Sequence, residues 1–183
     1  MLARRLSTRG TGVVNQGIGG NHLLLDGLGP NALARFDRDV LGPAGVRFLI
    51  VLEGVNDLGE LDRLTTHSDE AHEALIKQLQ GALQQIARRA HAHGIQVYGA
   101  TVTPYAGSDY YHPAARSEAD RQSLNQWIRT SHTFDAVVDF DALLRDPASP
   151  DRLAPAFDSG DHLHPGPAGY QRMGEAIPLD LFK

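Results

Sequence analysis

The segment Asp158-Ser159-Gly160-Asp161-His162-Leu163-His164-Pro165 places two carboxylates and two imidazoles on one short stretch. Asp161 and His164 stand three apart, a spacing at which the carboxylate accepts from one ring nitrogen while the other faces outward. Such a pair fixes the histidine tautomer and stabilises the imidazolium formed when the ring takes a proton, as general base and acid chemistry requires. A His-x-His pair is also a fragment of a metal site, but no further ligand set accompanies it, so no metal is expected. A solvated polar loop is the remaining reading. Earlier, Asn56 in Glu53-Gly54-Val55-Asn56-Asp57 follows an apolar run. A strand-end asparagine can aim its NH₂ into a cleft as a neutral donor to an oxygen gaining negative charge, or simply cap an Asx-type turn. The glycine-rich Asn15-Gln16-Gly17-Ile18-Gly19-Gly20-Asn21 can turn backbone N–H groups toward a ligand. It also reads as an ordinary tight strand-to-helix turn, and its spacing is not the dinucleotide G-x-G-x-x-G.

These groups are useful only if a scaffold holds them. The chain has 183 residues, a net charge of −5, 42% hydrophobic residues and no Cys. That length suits a single domain with a sizeable core, and the lack of Cys removes disulfides, thiolate metal sites and a Cys nucleophile. Mild acidity without a Lys/Arg block argues against nucleic acid or an anionic membrane as partner. No apolar run reaches membrane-spanning length, and the N-terminus lacks the apolar core of a signal peptide. Four short runs read as strands: Gly12 to Asn15, Arg47 to Glu53, Ile95 to Thr101 and Phe134 to Phe140. Helical patterns lie between them. The clearest runs from Asp69 to His93, with Ile76, Leu79, Leu83, Ile86 and Ala90 on one face, Ser68 as N-cap and Gly94 at its end. Others are predicted from Pro30 to Leu41, from Glu118 to Ser131 with Ser117 as cap, and from Gly166-Pro167 onward with Tyr170, Met173 and Ile177 buried. Alternating strands and helices predict a three-layer α/β/α sandwich with a mostly parallel sheet. In such folds the site lies at the carboxyl ends of the strands, where the unusual residues fall.

A glycine turn, a strand-end Asn and an Asp-x-x-His pair, in this order on an α/β chain, resemble the SGNH hydrolase family, the GDSL esterases and lipases. The resemblance covers nearly the whole sequence and implies a flavodoxin-like SGNH hydrolase fold. By it, Gly20 and Asn56 are the oxyanion-hole residues, and Asp161 and His164 the acid and base of a catalytic triad. One block is absent: the first strand with its Gly-Asp-Ser motif, whose serine is the family nucleophile, is not in the sequence. The chain is therefore read as one SGNH hydrolase-like domain over 1–183, N-terminally truncated, that begins in the helix following that motif. The lost strand would lie between those at Val13-Val14 and Phe48 to Leu52. Its loss predicts that the first strand shifts to pair with the second, or that a dimer supplies the contact.

The implied activity is hydrolysis of carboxylic esters with small acyl groups and no cofactor. Without the serine, His164 would activate water, or the chain would be a pseudoenzyme or ligand-binding module, or a mis-started form of a serine esterase. Thr103 to Arg116 is long enough to form a substrate-binding wall with Tyr105, Tyr110 and Tyr111; tyrosines packed on the core are the alternative. A glycosidase using two of Glu53, Asp57, Asp158 and Asp161 is a rival of another class. Family members are often secreted, and the sequence leaves the compartment open.

Overall fold

The computed structural model describes residues 1–183. Three parallel strands, β1 (Phe48–Val51), β2 (Gln96–Ala100) and β3 (Ala136–Val138), lie in that order, with Phe48 opposite Gln96 and Tyr98 opposite Ala136. Between β1 and β2 run α3 (Val55–Leu61) and α4 (Asp69–His91), and between β2 and β3 runs α5 (Ala115–Thr130). Before the sheet come α1 (Leu2–Ser7) and α2 (Ala32–Phe36), which continues into a π-helical turn over Asp37–Leu41; α6 (Phe140–Leu144), α7 (Pro167–Ala176) and a 3₁₀ turn (Leu179–Phe182) follow it.

The strand period of two divides the core into two halves. Leu49, Val51 and Val97 face a cluster built with α2, α4 and α5, including Phe36, Leu79, Leu83, Ile86, Leu124 and Ile128. Phe48, Ile50, Tyr98, Ala100 and Val138 face the other side, against Leu6, Phe140, Leu144, Met173 and Phe182. Both faces are covered, and the result is the three-layer α/β/α arrangement. In α4 all five expected positions are buried. Ser68 accepts from the Ala71 N–H at its start, and the Ile95 N–H closes on Ala90 beyond its end. On the opposite side, Arg5 of α1 donates to the carbonyls of Gly174 and Ile177, tying the N-terminal helix to the end of α7.

Several expectations are corrected. Gly12 to Asn15 forms no strand, and Val13 and Val14 are exposed. β1 pairs with β2 alone, so its outer edge is left without the neighbour that this segment was expected to supply. The last expected strand shrinks to Ala136–Val138 because Asp139 accepts from the Ala142 N–H and starts α6. The fifth helix starts at Ala115, so Ser117 is a buried first-turn residue rather than its cap. Tyr170 is exposed, since Gly169 and Met173 supply the buried side of α7.

Where β2 ends, its backbone is continued by side chains. The Asn125 amide accepts from the Val102 N–H at 2.7 Å and donates to the Val102 carbonyl at 2.8 Å. Arg121, fully buried, donates to the same carbonyl, to Asp141 at 2.7 Å and to both Glu118 oxygens. Arg129 bridges Asp139 and Asp141. This network locks α5 and α6 onto the carboxyl end of the sheet.

Candidate active site

The Asp161 loop is held by its own backbone. Asp158 and Pro165 form an antiparallel bridge, the Ser159 N–H donates to the His164 carbonyl at 3.0 Å, and the Gly166 N–H donates to Phe157 at 2.6 Å. Within this frame one oxygen of Asp161 accepts from the Leu163 and His164 N–H groups and from the Ser159 hydroxyl. The other oxygen lies 2.6 Å from His164 Nδ1. That bond assigns the proton to Nδ1 and leaves Nε2 with its lone pair open, on a ring that is 59% exposed. Burial pushes the Asp161 carboxyl up, but the hydrogen bonds from His164 and Leu163 outweigh it and hold the group well below the usual carboxylate range. It therefore stays ionised beside the imidazole. Ser159 sits on the carboxylate, not on the open ring nitrogen, so it buttresses the pair. A second pair repeats the motif: His162 Nδ1 lies 2.6 Å from Asp158, with His162 in the left-handed region at φ 58°.

Asn56 lies in the first turn of α3, which the chain enters through Gly54 at φ 115°. Its Nδ2 donates to the Asn21 carbonyl at 2.6 Å, and its Oδ1 accepts from the Tyr111 hydroxyl at 2.8 Å. The structure thus joins Asn56 to the Gly20-Asn21 turn. Gly20 has φ 72°, in the left-handed region that favours glycine. Its N–H donates to no protein atom. The turn is clamped from beneath. Asp57 accepts from the Leu23 and Leu24 N–H groups at 2.8 and 3.0 Å. Arg35 donates to the Gln16 carbonyl and to Asn21 Oδ1 while pairing with Asp39 and Glu53. Burial raises Glu53 to about 7, against the pull of Arg35 and with the push of Asp57. Burial also raises Asp57, although its two backbone donors oppose this.

The tyrosines divide. Tyr110 is exposed, but Tyr105 and Tyr111 are buried, so neither forms a substrate-facing wall. Both belong to the core cluster that holds Leu23 and Leu58, and Leu163, beside His164, packs on that same cluster. Of the four carboxylates from which a glycosidase would draw its pair, Asp57 is taken by backbone N–H groups, Glu53 faces Arg35, and Asp158 and Asp161 hold histidines. A cavity of about 300 Å³ lies between α4 and α5, lined by Glu73, Gln80, Arg116 and Ser123 among others, apart from the residues above. No helix is long and apolar enough to cross a membrane.

The model of the GDSL-like Lipase/Acylhydrolase family matches residues 1–172. The chain belongs to this family. Solved structures agree with the GDSL-like fold. A GDSL-like lipase from Bacteroides thetaiotaomicron is 23% identical with a TM-score of 0.60, covering 79% of this chain and 66% of its own. A protein of the G-D-S-L family from Desulfitobacterium hafniense is 20% identical with a TM-score of 0.68 over 96% of this chain and 84% of its own. An acetyl xylan esterase from Geobacillus stearothermophilus is 20% identical with a TM-score of 0.64 over 98% of this chain and 78% of its own. No curated protein matches the sequence. In this GDSL-like chain, Arg35 and Asn21 as members of the clamp of the glycine turn escaped sequence reading. A charged or amide residue carries no mark of burial in its spacing.

Proposed function

We propose that this GDSL-like chain hydrolyses carboxylic esters of small acyl groups. The observation that carries the reading is the Asp161–His164 pair with its open Nε2. In the proposed reaction Nε2 takes a proton from water as the water oxygen adds to the ester carbonyl carbon. The resulting oxyanion accepts from the Gly20 N–H and the second Nδ2 hydrogen of Asn56. Asp161 stabilises the imidazolium without taking its proton. On collapse of the tetrahedral intermediate the acyl–oxygen bond to the alcohol breaks, His164 returns its proton to the leaving oxygen, and the products are acid and alcohol. Leu163 packs the His164 loop on the same face of the sheet as Leu23 and Leu58, which is the face the reading requires. The acetyl xylan esterase likeness favours acetyl groups on a carbohydrate alcohol as the first substrates to try.

No serine hydroxyl hydrogen-bonds a histidine, and that observation favours a second reading: a catalytically impaired module that binds such esters without turning them over. Hydrolysis of p-nitrophenyl acetate separates the two. The hydrolase reading expects turnover above buffer and a loss of roughly 10²-fold or more in His164→Ala, within the usual range for a general base. Ester binding with turnover no faster than buffer would establish the binding module instead.

The unpaired backbone donors on the outer edge of β1 also support a dimer: Phe48–Val51 has no ladder on that side. An antiparallel pair of β1 strands centred on Ile50 would set Arg47 of each copy opposite Glu53 of the other. Light scattering at several concentrations tests this, and a strictly monomeric mass overturns it.

A further inference from the structure

We propose that Tyr111 is a positioning residue for the Asn56 amide, holding it as an oxyanion donor. The inference deepens the hydrolase reading and rests on it. An Asn side chain turns about χ1 and χ2, and it serves as a directed donor only where its neighbours fix both. Here one neighbour is an obligate acceptor, the Asn21 carbonyl, which requires Nδ2 to face it. The other is the Tyr111 hydroxyl on Oδ1, at the opposite corner of the amide. Two contacts at two corners fix the amide plane, and the remaining Nδ2 hydrogen is left for a ligand oxygen. Donation into Oδ1 also polarises the amide, which strengthens that remaining N–H as a donor.

Tyr111 is built for this task. It is 4% exposed and its ring stands edge-on to those of Tyr105 and Tyr110. Its N–H donates to the Ser108 hydroxyl oxygen at 3.3 Å. The ring lies over Gly59 of α3 so closely that a Cβ there would come within 2.4 to 2.6 Å of it. Because Asn56 and Gly59 share one helix turn, the ring that rests on Gly59 delivers its hydroxyl to Asn56. Burial, and then the neighbouring Tyr110, raise the phenol to about 12, so it keeps its donor proton throughout the neutral range.

The test is Tyr111→Phe, which keeps the ring, made alone and with Asn56→Ala. Two readouts are taken: steady-state hydrolysis of p-nitrophenyl acetate, and the assigned Asn56 side-chain NH₂ cross-peaks in a ¹⁵N-edited NMR spectrum. The expected result is a fall in kcat of about tenfold, the worth of one hydrogen bond made in the transition state, with little change in KM. The Asn56 peaks move in the single variant, and Tyr111→Phe adds no further loss when Asn56 is already Ala. If Asn56→Ala lowers kcat but Tyr111→Phe leaves both kcat and the NH₂ peaks as in the unaltered protein, the positioning role is overturned while the hydrolase reading stands. If Asn56→Ala itself leaves hydrolysis unchanged, the oxyanion assignment falls, and the role of Tyr111 in catalysis falls with it.

Discussion

Replacing Glu53 with Gln should make the protein more stable at pH 8 and leave it nearly unchanged at pH 4.5. Burial raises this carboxyl from 4.5 to about 7, so the folded chain holds the proton more tightly than the unfolded chain does. Between those two values the native state binds more protons, and stability therefore falls as pH rises through that window and levels off above it. At about 1.4 kcal/mol for each tenfold in proton affinity, the loss comes to about 3 kcal/mol. The pairing with Arg35 at 3.4 Å is already included, and with the carboxyl only 18% exposed little solvent screening applies. Glutamine mimics the protonated form and removes the titration. Urea unfolding of both proteins across pH 4 to 9 measures the difference directly. A Glu53→Gln protein equal to or weaker than the unaltered chain at pH 8 would refute the argument, because it would mean that Arg35 compensates the buried charge fully.

Three further outcomes are expected. Asp57→Ala strands the Leu23 and Leu24 N–H groups and should cost about 2–5 kcal/mol, seen as a lower urea midpoint. Gly59→Ala drives a methyl into the Tyr111 ring and should lower stability by about 1–3 kcal/mol, measured the same way, and shift the Asn56 NH₂ resonances. Arg121→Ala leaves Asp141 and the Val102 carbonyl short of a buried donor, and thermal unfolding should show a loss of about 3–5 kcal/mol.

Periodic features were readable and tertiary ones were not. The long helix α4 shows in its apolar spacing, its Ser68 cap and the Gly94 that follows it, all of them local signals. The Asp161–His164 pair was legible for the same reason, since three residues of tight loop bring carboxylate and ring together whatever the rest of the fold does. By contrast, α3 reads as a turn, because Asn56, Asp57 and Gly59 are poor helix formers. It forms because Asp57 has backbone donors to reach and Tyr111 needs the space that Gly59 leaves. Tyr105 and Tyr111 look like loop tyrosines until the packing shows them inside. Val13 and Val14 have strand-forming side chains, but a strand needs a neighbour, and none adjoins them.

The Asn125 amide that completes the end of β2 has a dynamic consequence. Val102 lies outside every strand, yet its N–H is bonded to a fully buried side chain within a charged network. Its amide proton should exchange with deuterated solvent as slowly as those of the sheet interior, and only when α5 lifts off. The opening of that one helix, rather than fraying of the strand, would then set how often the carboxyl end of the sheet is laid open.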